Sequence, residues 1–398
     1  MAITDKEQGV WGLEQVYNKQ NEGDIWEYSV NQGLFMWGWA GDYGVLAQNG
    51  AYASPARISS PAQVPGTTWN VLSLYNNFAH ALKNDGSHWV WGSASTGDLG
   101  QNVPDNTHLS SPTQLPGTWS AITSSNYSMM GIKTDGTMWS WGDNGNGHLG
   151  VNDRTNRSSP TQVGTSTNWG TGGNNLSGSE YSVQAIKENG TLWVWGYNRD
   201  GNLGQNNDNP ARFSSPTQVG TNTTWNKCRG FFNSMVATKT DGTLWCWGNN
   251  QQGQIGQNDT SGPFSSPKQV GSGTDWTGQV WKGYKSAYAI KTNGTLWAWG
   301  NNEGGSLGQN QNDVYYSSPV QIGTETTWRS GGALGYRGVA ATKTDGTLWT
   351  WGSNGGSLAL NNETQYSSPV QVGSDTDWDY TNYEQIYGAT NGGLKKAL

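Results

Sequence analysis

A strict internal repeat constrains this chain more than any other feature of its sequence. Trp-Gly pairs recur about every 52 residues, and a second Trp and a Ser-Ser-Pro triplet keep the same period. The glycines of the pairs are Gly38, Gly92, Gly142, Gly196, Gly248, Gly300 and Gly352; the second tryptophans are Trp69, Trp119, Trp169, Trp225, Trp276, Trp328 and Trp378; the triplet prolines are Pro61, Pro112, Pro160, Pro216, Pro267, Pro319 and Pro369. The 398 residues therefore indicate one repeat array rather than two or three ordinary domains.

Each period contains the signals of four short strands. In one copy, "SMVATKT" (234–240) is joined to "TLWCWG" (243–248) by Asp241-Gly242, and Asx-Gly is a strong hairpin signal because both turn residues need positive φ. A third run follows the Ser-Ser-Pro triplet and a fourth begins at the second Trp. Four strands repeated seven times predict an all-β, seven-bladed propeller. A linear solenoid is the alternative, but it needs polar capping repeats that are not evident here.

The two ends of the array interrupt the repeat part-way through a module. "YSVNQGLFMWG" (28–38) and "YGATNGGLKKAL" (387–398) each predict a hairpin, and pairing between these segments would close the ring between the termini. One hairpin more than seven blades require is then present, and the sequence leaves open which terminus adds an extra strand. The expected organisation is an N-terminal arm (1–25) followed by the propeller (26–398).

Tryptophan is expected to build the core. The chain has 24 Trp but only 13% charged residues, against a usual share of about 25%. In each Trp-x-Trp both rings point to one face of the strand, so these rings should pack between blades. Trp39 and Trp281 lie outside the repeat columns and are the candidate surface aromatics, of the kind that stacks on sugars.

Charge and cysteine content exclude several classes of function. A net charge of −7 offers no basic face, so no nucleic-acid partner is expected. The start "MAITDKEQG" is unlike a secretory signal, and no apolar run is long enough for membrane insertion. A column of Lys before the Asx-Gly turns predicts a solvated ring of charges neutralised by the turn Asp, with an anionic ligand as the alternative. The two Cys, Cys228 and Cys246, are expected to be free or buried thiols, with a single bridge as the alternative.

No constellation of catalytic or metal-binding residues emerges. "GNGHLG" (145–150) and "GGSLG" (304–308) match nucleotide-loop and nucleophile-elbow patterns, but both occupy the same loop of a β-repeat, without the helix those patterns require. The four His have no zinc spacing; His80 and His88 flank a hairpin turn. We therefore expect a non-enzymatic protein with no cofactor and no metal.

The full repeat resembles a known family. The pattern A-x-K-x-D-G-T-L-W-x-W-G-x-N-x-x-G-x-L-G, followed by S-S-P-x-Q-V, is similar to the regulator of chromosome condensation repeat over roughly residues 26–390. The resemblance implies a seven-bladed propeller. Founding members of that family exchange nucleotide on a small GTPase and bind chromatin, and a bacterial relative inhibits β-lactamases. Those activities are not expected here, because the chain has no basic tail and a fold hosts many functions.

The arm carries a second resemblance. "GVWGLEQVYNKQNEGDIW" (9–26) is similar to N-terminal segments of virion appendage proteins of tailed phages of marine bacteria. The matching residues Val10, Trp11, Leu13, Tyr17 and Trp26 are the candidate docking residues. Val10, Leu13 and Tyr17 fall near one side of a helical pattern, which suits a docking element. Packing on the propeller's own edge would explain them equally.

These observations favour a phage virion structural or appendage protein: a tail, fibre or surface-decoration component that uses the propeller as an adhesion scaffold. Its expected partners are other virion proteins and a host surface glycan or protein, and its expected location is the virion. Variable loops at 103–109, 153–157, 207–213 and 259–264 would face the partner. The alternative is a soluble, cytoplasmic protein-binding propeller of a cell, either inhibitor-like or an interaction hub.

Overall fold

The computed structural model describes residues 33–39, 44–47, 57–75, 77–103, 107–125, 127–170, 175–209, 211–231, 233–334, 337–379, 383–385 and 390–395. In chain order the first strands are β1 (Gly33–Trp39), β2 (Arg57–Gln63), β3 (Trp69–Tyr75), β4 (Phe78–Lys83), β5 (His88–Ala94), β6 (Thr107–Leu115), β7 (Trp119–Ser125), β8 (Ser128–Lys133), β9 (Met138–Gly142), β10 (Arg157–Gln162), β11 (Leu176–Gly178), β12 (Ser182–Ile186), β13 (Leu192–Tyr197) and β14 (Arg212–Gln218). The others are β15 (Trp225–Phe231), β16 (Ser234–Lys239), β17 (Leu244–Gly248), β18 (Phe264–Gln269), β19 (Trp276–Lys282), β20 (Ser286–Lys291), β21 (Leu296–Gly300), β22 (Tyr316–Gln321), β23 (Trp328–Leu334), β24 (Gly338–Lys343), β25 (Leu348–Gly352), β26 (Tyr366–Gln371), β27 (Trp378–Asp379), β28 (Tyr383–Gln385) and β29 (Thr390–Lys395), with a 3-10 turn at Glu303–Gly305.

The described strands form seven sheets, which are the blades of a propeller. In blade one, β3, β4, β5 and β6 lie side by side and antiparallel, and we call these positions strands A, B, C and D. Blades two to six are β7–β10, β11–β14, β15–β18, β19–β22 and β23–β26. Strands A of blades one to six contact one another in succession, and β28 completes this ring between β23 and β3, so these strands surround the axis. The predicted all-β, seven-bladed propeller is confirmed.

Blade seven closes the ring with strands from both ends of the array. Its order is β27, β29, β1, β2, so the C-terminal segment supplies strands A and B and the N-terminal segment supplies C and D. β29 pairs antiparallel with β1 from Gly33↔Lys395 to Gly38↔Thr390. Closure between the termini is confirmed, but the expectation of two separate terminal hairpins is wrong: the described residues of both segments pair with each other. The extra strand is β28, from the C-terminal side, and it pairs parallel with β3.

The Asx-Gly turns are held by a repeated side-chain relay. The carboxylate of Asp135 accepts hydrogen bonds from the backbone N–H of Thr137 at 2.9 Å and from its hydroxyl at 2.6 Å, and the indole Nε1 of Trp139 donates to that hydroxyl at 2.8 Å. Gly136 is required because its φ is 77° and a Cβ would lie 2.1 Å from the carbonyl oxygen of Thr167. The relay fixes the turn to the first Trp of strand C.

The second Trp of each Trp-x-Trp joins its blade to the preceding one. These rings are fully buried, and each indole Nε1 donates to a carbonyl of the G-x-L-G loop of the blade before it. The pairs are Trp91 with Val45 (2.7 Å), Trp141 with Asp98 (3.0 Å), Trp195 with His148 (2.9 Å), Trp247 with Asn202 (2.9 Å), Trp299 with Gln254 (3.0 Å), Trp351 with Ser306 (2.7 Å) and, across the ring closure, Trp37 with Ser357 (2.8 Å). The prediction that Trp packs between blades is confirmed, since a buried indole N–H needs an acceptor.

Candidate binding surfaces

Antiparallel alternation gives the ring two faces. One carries the A–B and C–D loops, and we call it the A–B face. The other carries the Asx-Gly turns and the D–A loops, and we call it the turn face. Among the described residues there is no group of three or more His, Cys, Asp or Glu side chains that could hold a metal ion. Nor does any described helix have the length and apolarity that a bilayer crossing requires.

On the turn face, each strand B ends at a Lys or, in blade three, just before one, and this Lys is held between two aromatic rings. Lys343 Nζ lies 3.5 Å from the ring centroid of Trp349 and 5.1 Å from that of Trp328. The same arrangement recurs for Lys83 (Trp69, Trp89), Lys133 (Trp119, Trp139), Lys187 (Trp169, Trp193), Lys239 (Trp225, Trp245), Lys291 (Trp276, Trp297) and Lys395 (Trp378, Phe35). The expectation that these Lys are solvated is wrong, because the aromatic rings hold the cations by cation–π contact. The turn carboxylates of Asp85 and Asp135 accept hydrogen bonds from the following Ser or Thr, and these bonds, with a smaller contribution from the charge of the nearby Lys, lower their pKa.

The D–A loops differ in what they add to these Lys–aromatic cages. Glu325 is 2.7 Å from Lys343, Asp375 is 2.5 Å from Lys395, and Asp275 is 3.2 Å from Lys291. These are blades six, seven and five. In blades one and two the corresponding loops contain Pro65-Gly66 and Pro116-Gly117 instead. Among the described residues, three of the seven blades therefore carry caged ion pairs beside their D–A loops.

Two equivalent grooves open beside these ion-paired cages. One lies between blades five and six and has a volume of about 450 Å³; the next, between blades six and seven, has about 440 Å³. Corresponding residues line both: Pro369 and Pro61, Ile322 and Val372, Trp328 and Trp378, Trp349 and Phe35, Glu325 and Asp375, Asn310 and Asn361. Each groove thus combines an aromatic and aliphatic wall with a carboxylate, which is the mixed lining typical of small-molecule sites.

The A–B face carries an aromatic and cationic cluster contributed by blades five and six. The ring of Tyr284 has Lys285 Nζ 5.3 Å and the Arg337 guanidinium 5.9 Å from its centroid. Arg337 is also ion-paired with Glu303 at 2.6 Å. Both side chains are more than a third exposed, Arg337 at 35% and Glu303 at 40%. A second aromatic contact, Tyr75 with Tyr127, lies on the same face, with ring centroids 5.5 Å apart.

The axis is crossed by protein atoms. Lys282 at the end of strand A of blade five donates to the carbonyl of Gly178 in blade three, and these blades are not neighbours. Arg229 of blade four is also buried and donates to the carbonyl of Cys228 at 2.9 Å. β28 lies beside β3 and β23 within the ring of A strands. These contacts occupy part of the centre of the ring, which makes its faces and blade boundaries the more accessible surfaces.

One blade boundary buries a histidine pair. His80 Nδ1 lies 3.0 Å from His88 Nε2, and the rings stack with centroids 5.2 Å apart. Burial, and then the charge of His88, holds the pKa of His80 well below its usual value; burial lowers the pKa of His88 to about 3. The His88 ring also packs against Trp119 and Trp141 of blade two. The sequence identified His80 and His88 only as residues that flank a hairpin turn. The pairing of the two adjacent strands brings their rings into contact.

Of the seven candidate site residues predicted from the sequence, the structure describes the side chain of Trp281 alone. Val10, Trp11, Leu13, Tyr17 and Trp26 lie outside the described residues. So does the side chain of Trp39, whose backbone ends β1.

Trp281 is not a surface aromatic, and that expectation is wrong. It is only 4% exposed and stacks on Tyr288 with centroids 5.6 Å apart and planes 7° apart. Its ring faces blade six, where a Cβ on Gly331 would lie 2.5 Å from it. Glycine in the neighbouring blade, which the repeat pattern does not reveal, makes room for the indole.

The loops that matched catalytic patterns have a structural part in the array. His148 in "GNGHLG" and Ser306 in "GGSLG" use their carbonyls to accept the indole N–H of the next blade. Three of the variable loops are also anchored in the same way: Asn144, Asn198 and Asn250 donate to the carbonyls of Asp153, Asn207 and Asp259. Cys228 and Cys246 are both buried thiols, as expected.

Comparisons with known proteins agree with this architecture. The model described as "Regulator of chromosome condensation (RCC1) repeat" matches residues 135–170, and a second model of that description matches residues 230–254. The Protein RCC2 homolog of Danio rerio is 35% identical over 119 residues, which cover 29% of this chain and 23% of that protein. The Ultraviolet-B receptor UVR8 of Arabidopsis thaliana is 28% identical over 149 residues, 36% of this chain and 32% of the receptor. These matches span a third or less of the relatives' own length.

Solved structures extend the likeness to nearly the whole chain. Prp20p from Saccharomyces cerevisiae superposes with a TM-score of 0.79 over 92% of both chains at 17% identity. Human WBSCR16 gives a TM-score of 0.77 over 92% of this chain and 99% of its own at 18% identity. At such identities the likeness concerns the fold. The matched proteins named here are cellular and lend no support to the phage resemblance of the arm. The chain is a seven-bladed propeller, and two of its segments, residues 135–170 and 230–254, match the regulator of chromosome condensation repeat.

Proposed function

We propose that this chain is a non-enzymatic, cytoplasmic protein-binding propeller that engages its partner through the A–B face. The observation that carries the proposal is the cluster of Tyr284, Lys285 and Arg337, in which one ring contacts two cations. Tyr and Arg are enriched among the residues that dominate the energy of protein interfaces. The cluster is contributed by A–B loops of two adjacent blades, so its geometry is set by the rigid sheets beneath it.

The relatives support the same class of function. Prp20p is described with its binding to Gsp1p and histones, which is a protein-binding role on this fold. At 17% identity that likeness does not transfer those partners to this chain. The virion role rests on residues 9–26, which lie outside the described residues, and no relative named above favours it. The cellular alternative is therefore the better supported of the two.

The proposal is tested by affinity capture with the full chain and its variants, followed by quantitative mass spectrometry. Tyr284→Ala and Arg337→Ala each remove one member of the cluster, and Lys268→Ala removes a cation near the turn face as the matched control. A true partner should be lost at least tenfold with both cluster variants and be retained with the control. A partner retained by all three variants would exclude the A–B face. Co-sedimentation of the chain with intact phage particles would restore the virion interpretation.

A further inference from the structure

We propose that the two grooves beside blade six bind a neutral pyranose sugar. This site lies at the blade boundaries, beside the D–A loops, and contains none of the residues of the Tyr284, Lys285 and Arg337 cluster, so it does not depend on the proposed protein-binding role. The inference stands on three properties of the grooves: their equivalence, their ion-paired carboxylates, and the pairing of polar groups with an aromatic wall.

Equivalence separates these grooves from incidental clefts. The two volumes differ by little, about 450 and 440 Å³, and the lining positions correspond residue by residue although 50 residues separate Glu325 from Asp375. Each is large enough for a small ligand and open to solvent. Two such sites on one rigid ring would bind a multivalent glycan more strongly than either alone.

Each groove presents a carboxylate that is ion-paired with a caged Lys, and beside the second groove Asp377 also lies 3.5 Å from Lys395. In the first, Glu325 lies against Lys343 at 2.7 Å, and the ammonium is buried behind the Trp rings while the carboxylate is 49% exposed. In the second, Asp375 lies against Lys395 at 2.5 Å and is 55% exposed. The exposed carboxylate would repel an anionic ligand, and the nearby caged ammonium would repel a cationic one. A neutral ligand avoids both costs and can still donate to the carboxylate.

Each groove also contains a buried donor. The indole Nε1 of Trp328, a residue 4% exposed, has no acceptor among the described residues, and the same is true of Trp378 at 2%. Trp69, Trp169 and Trp225 share this property, but their D–A loops lack the carboxylate found in blades six and seven. Only these two described grooves combine a carboxylate acceptor with an unpaired indole donor. A vicinal diol offers a match to both groups, because each hydroxyl donates and accepts.

The remaining walls suit the apolar face of a sugar ring. Trp349 and Pro369 in the first groove, and Phe35 and Pro61 in the second, are partly exposed and rigid. The C–H groups on one face of a pyranose can pack against such surfaces while the hydroxyls at its edge reach the polar groups. A peptide adding a strand at the outer edge fits less well, because strand D carries the Ser-Ser-Pro proline, which interrupts an edge ladder.

The test uses the full chain and four simple probes: methyl glycosides of glucose, galactose, mannose and N-acetylglucosamine. Saturation-transfer NMR reports binding at millimolar probe concentration, and ¹³C-methyl spectra locate it through Ile322 and Val372, which line the two grooves. We expect at least one glycoside to bind saturably and to shift both methyl signals. The double variant Glu325→Gln/Asp375→Asn should weaken that binding at least tenfold.

Asp208→Asn, an exposed acid on another loop, is the matched control and should bind like the unmodified chain. Binding that survives the groove double variant unchanged, or that shifts neither methyl signal, would overturn the proposal. So would the absence of saturable binding by all four glycosides. If the double variant does not fold, each single substitution should remove the perturbation at its own groove and leave the other, and failure to do so counts equally against the site.

Discussion

Blade one and blade six share the same framework of Trp and Lys positions, but they bury different side chains against it. Both place Lys between two Trp rings, and both use a Trp to join the preceding blade. In blade one, His80 and His88 occupy the hairpin positions that Ala340 and Leu348 hold in blade six. Blade six instead adds Glu325 outside its cage. The repeat thus keeps its Trp, Gly and Lys positions, while variation enters through the hairpin core and the D–A loop.

The shared part of the framework should be the most sensitive to substitution. Trp141→Ala and Trp351→Ala each remove a fully buried ring and an inter-blade hydrogen bond. We expect each to lower the free energy of unfolding by about 3–5 kcal/mol, measured by urea denaturation followed by circular dichroism. Trp349→Phe is the milder control, because Phe35 fills that position in blade seven, and it should cost less than about 1.5 kcal/mol. A loss below about 1 kcal/mol in either Ala variant would show that the ring is not held as described.

The stability contributed by the buried residues of blade one, unlike that of blade six, should depend on acid pH because of its two histidines. The pKa of both histidines is lower in the folded chain than the ordinary value of about 6.5, so the unfolded chain takes up protons first as the pH falls. Their contribution to stability is complete above about pH 6.5 and is lost as the pH falls toward about 3, by up to about 1.4 kcal/mol per pH unit for each imidazole.

The double variant His80→Ala/His88→Leu, which takes the residues of blade six, should lose this acid sensitivity. The pKa of buried Asp98 in blade one is raised to about 7 by burial and acts in the opposite direction. It is retained in the variant, so the difference between the two stability–pH curves isolates the histidines. Parallel curves between pH 4 and 7 would contradict the assignment.

The smallest expected difference between the two blades is the stability that their Lys–aromatic cages contribute. Lys83→Met and Lys343→Met should each lose a cation–π contribution of about 0.5–2 kcal/mol. Lys343→Met also removes the half-exposed pair with Glu325, worth a further ~0.2–1 kcal/mol. Because salt screens exposed charges, that excess should vanish in about 1 M NaCl, while the cation–π loss persists. Equal salt dependence of the two variants would argue against the ion pair.

Prediction from the sequence succeeded where the chemistry is local. The Asx-Gly turns, the strand order within a blade and the placement of Trp followed from residues close together in the chain. The candidate sites depended on contacts between blades and were largely missed. Trp281 was misassigned because Gly331, 50 residues away, makes room for its ring. The grooves left a signal in the acidic D–A loops, but their lining comes from two blades and could not be assembled from one repeat.

The sequence by itself determined the number of blades, the turn positions and the aromatic core, because a repeat must bury its rings against copies of itself and the copies can be counted. Only the tertiary structure decided which strands the two ends contribute to the closing blade, what holds each Lys and where ligands could enter. The Trp37 indole donates to Ser357 across the closure, and β1 pairs with β29, contacts made between opposite ends of the array. Such pairings depend on how the blades curve into a ring, and no local pattern of residues encodes that curvature.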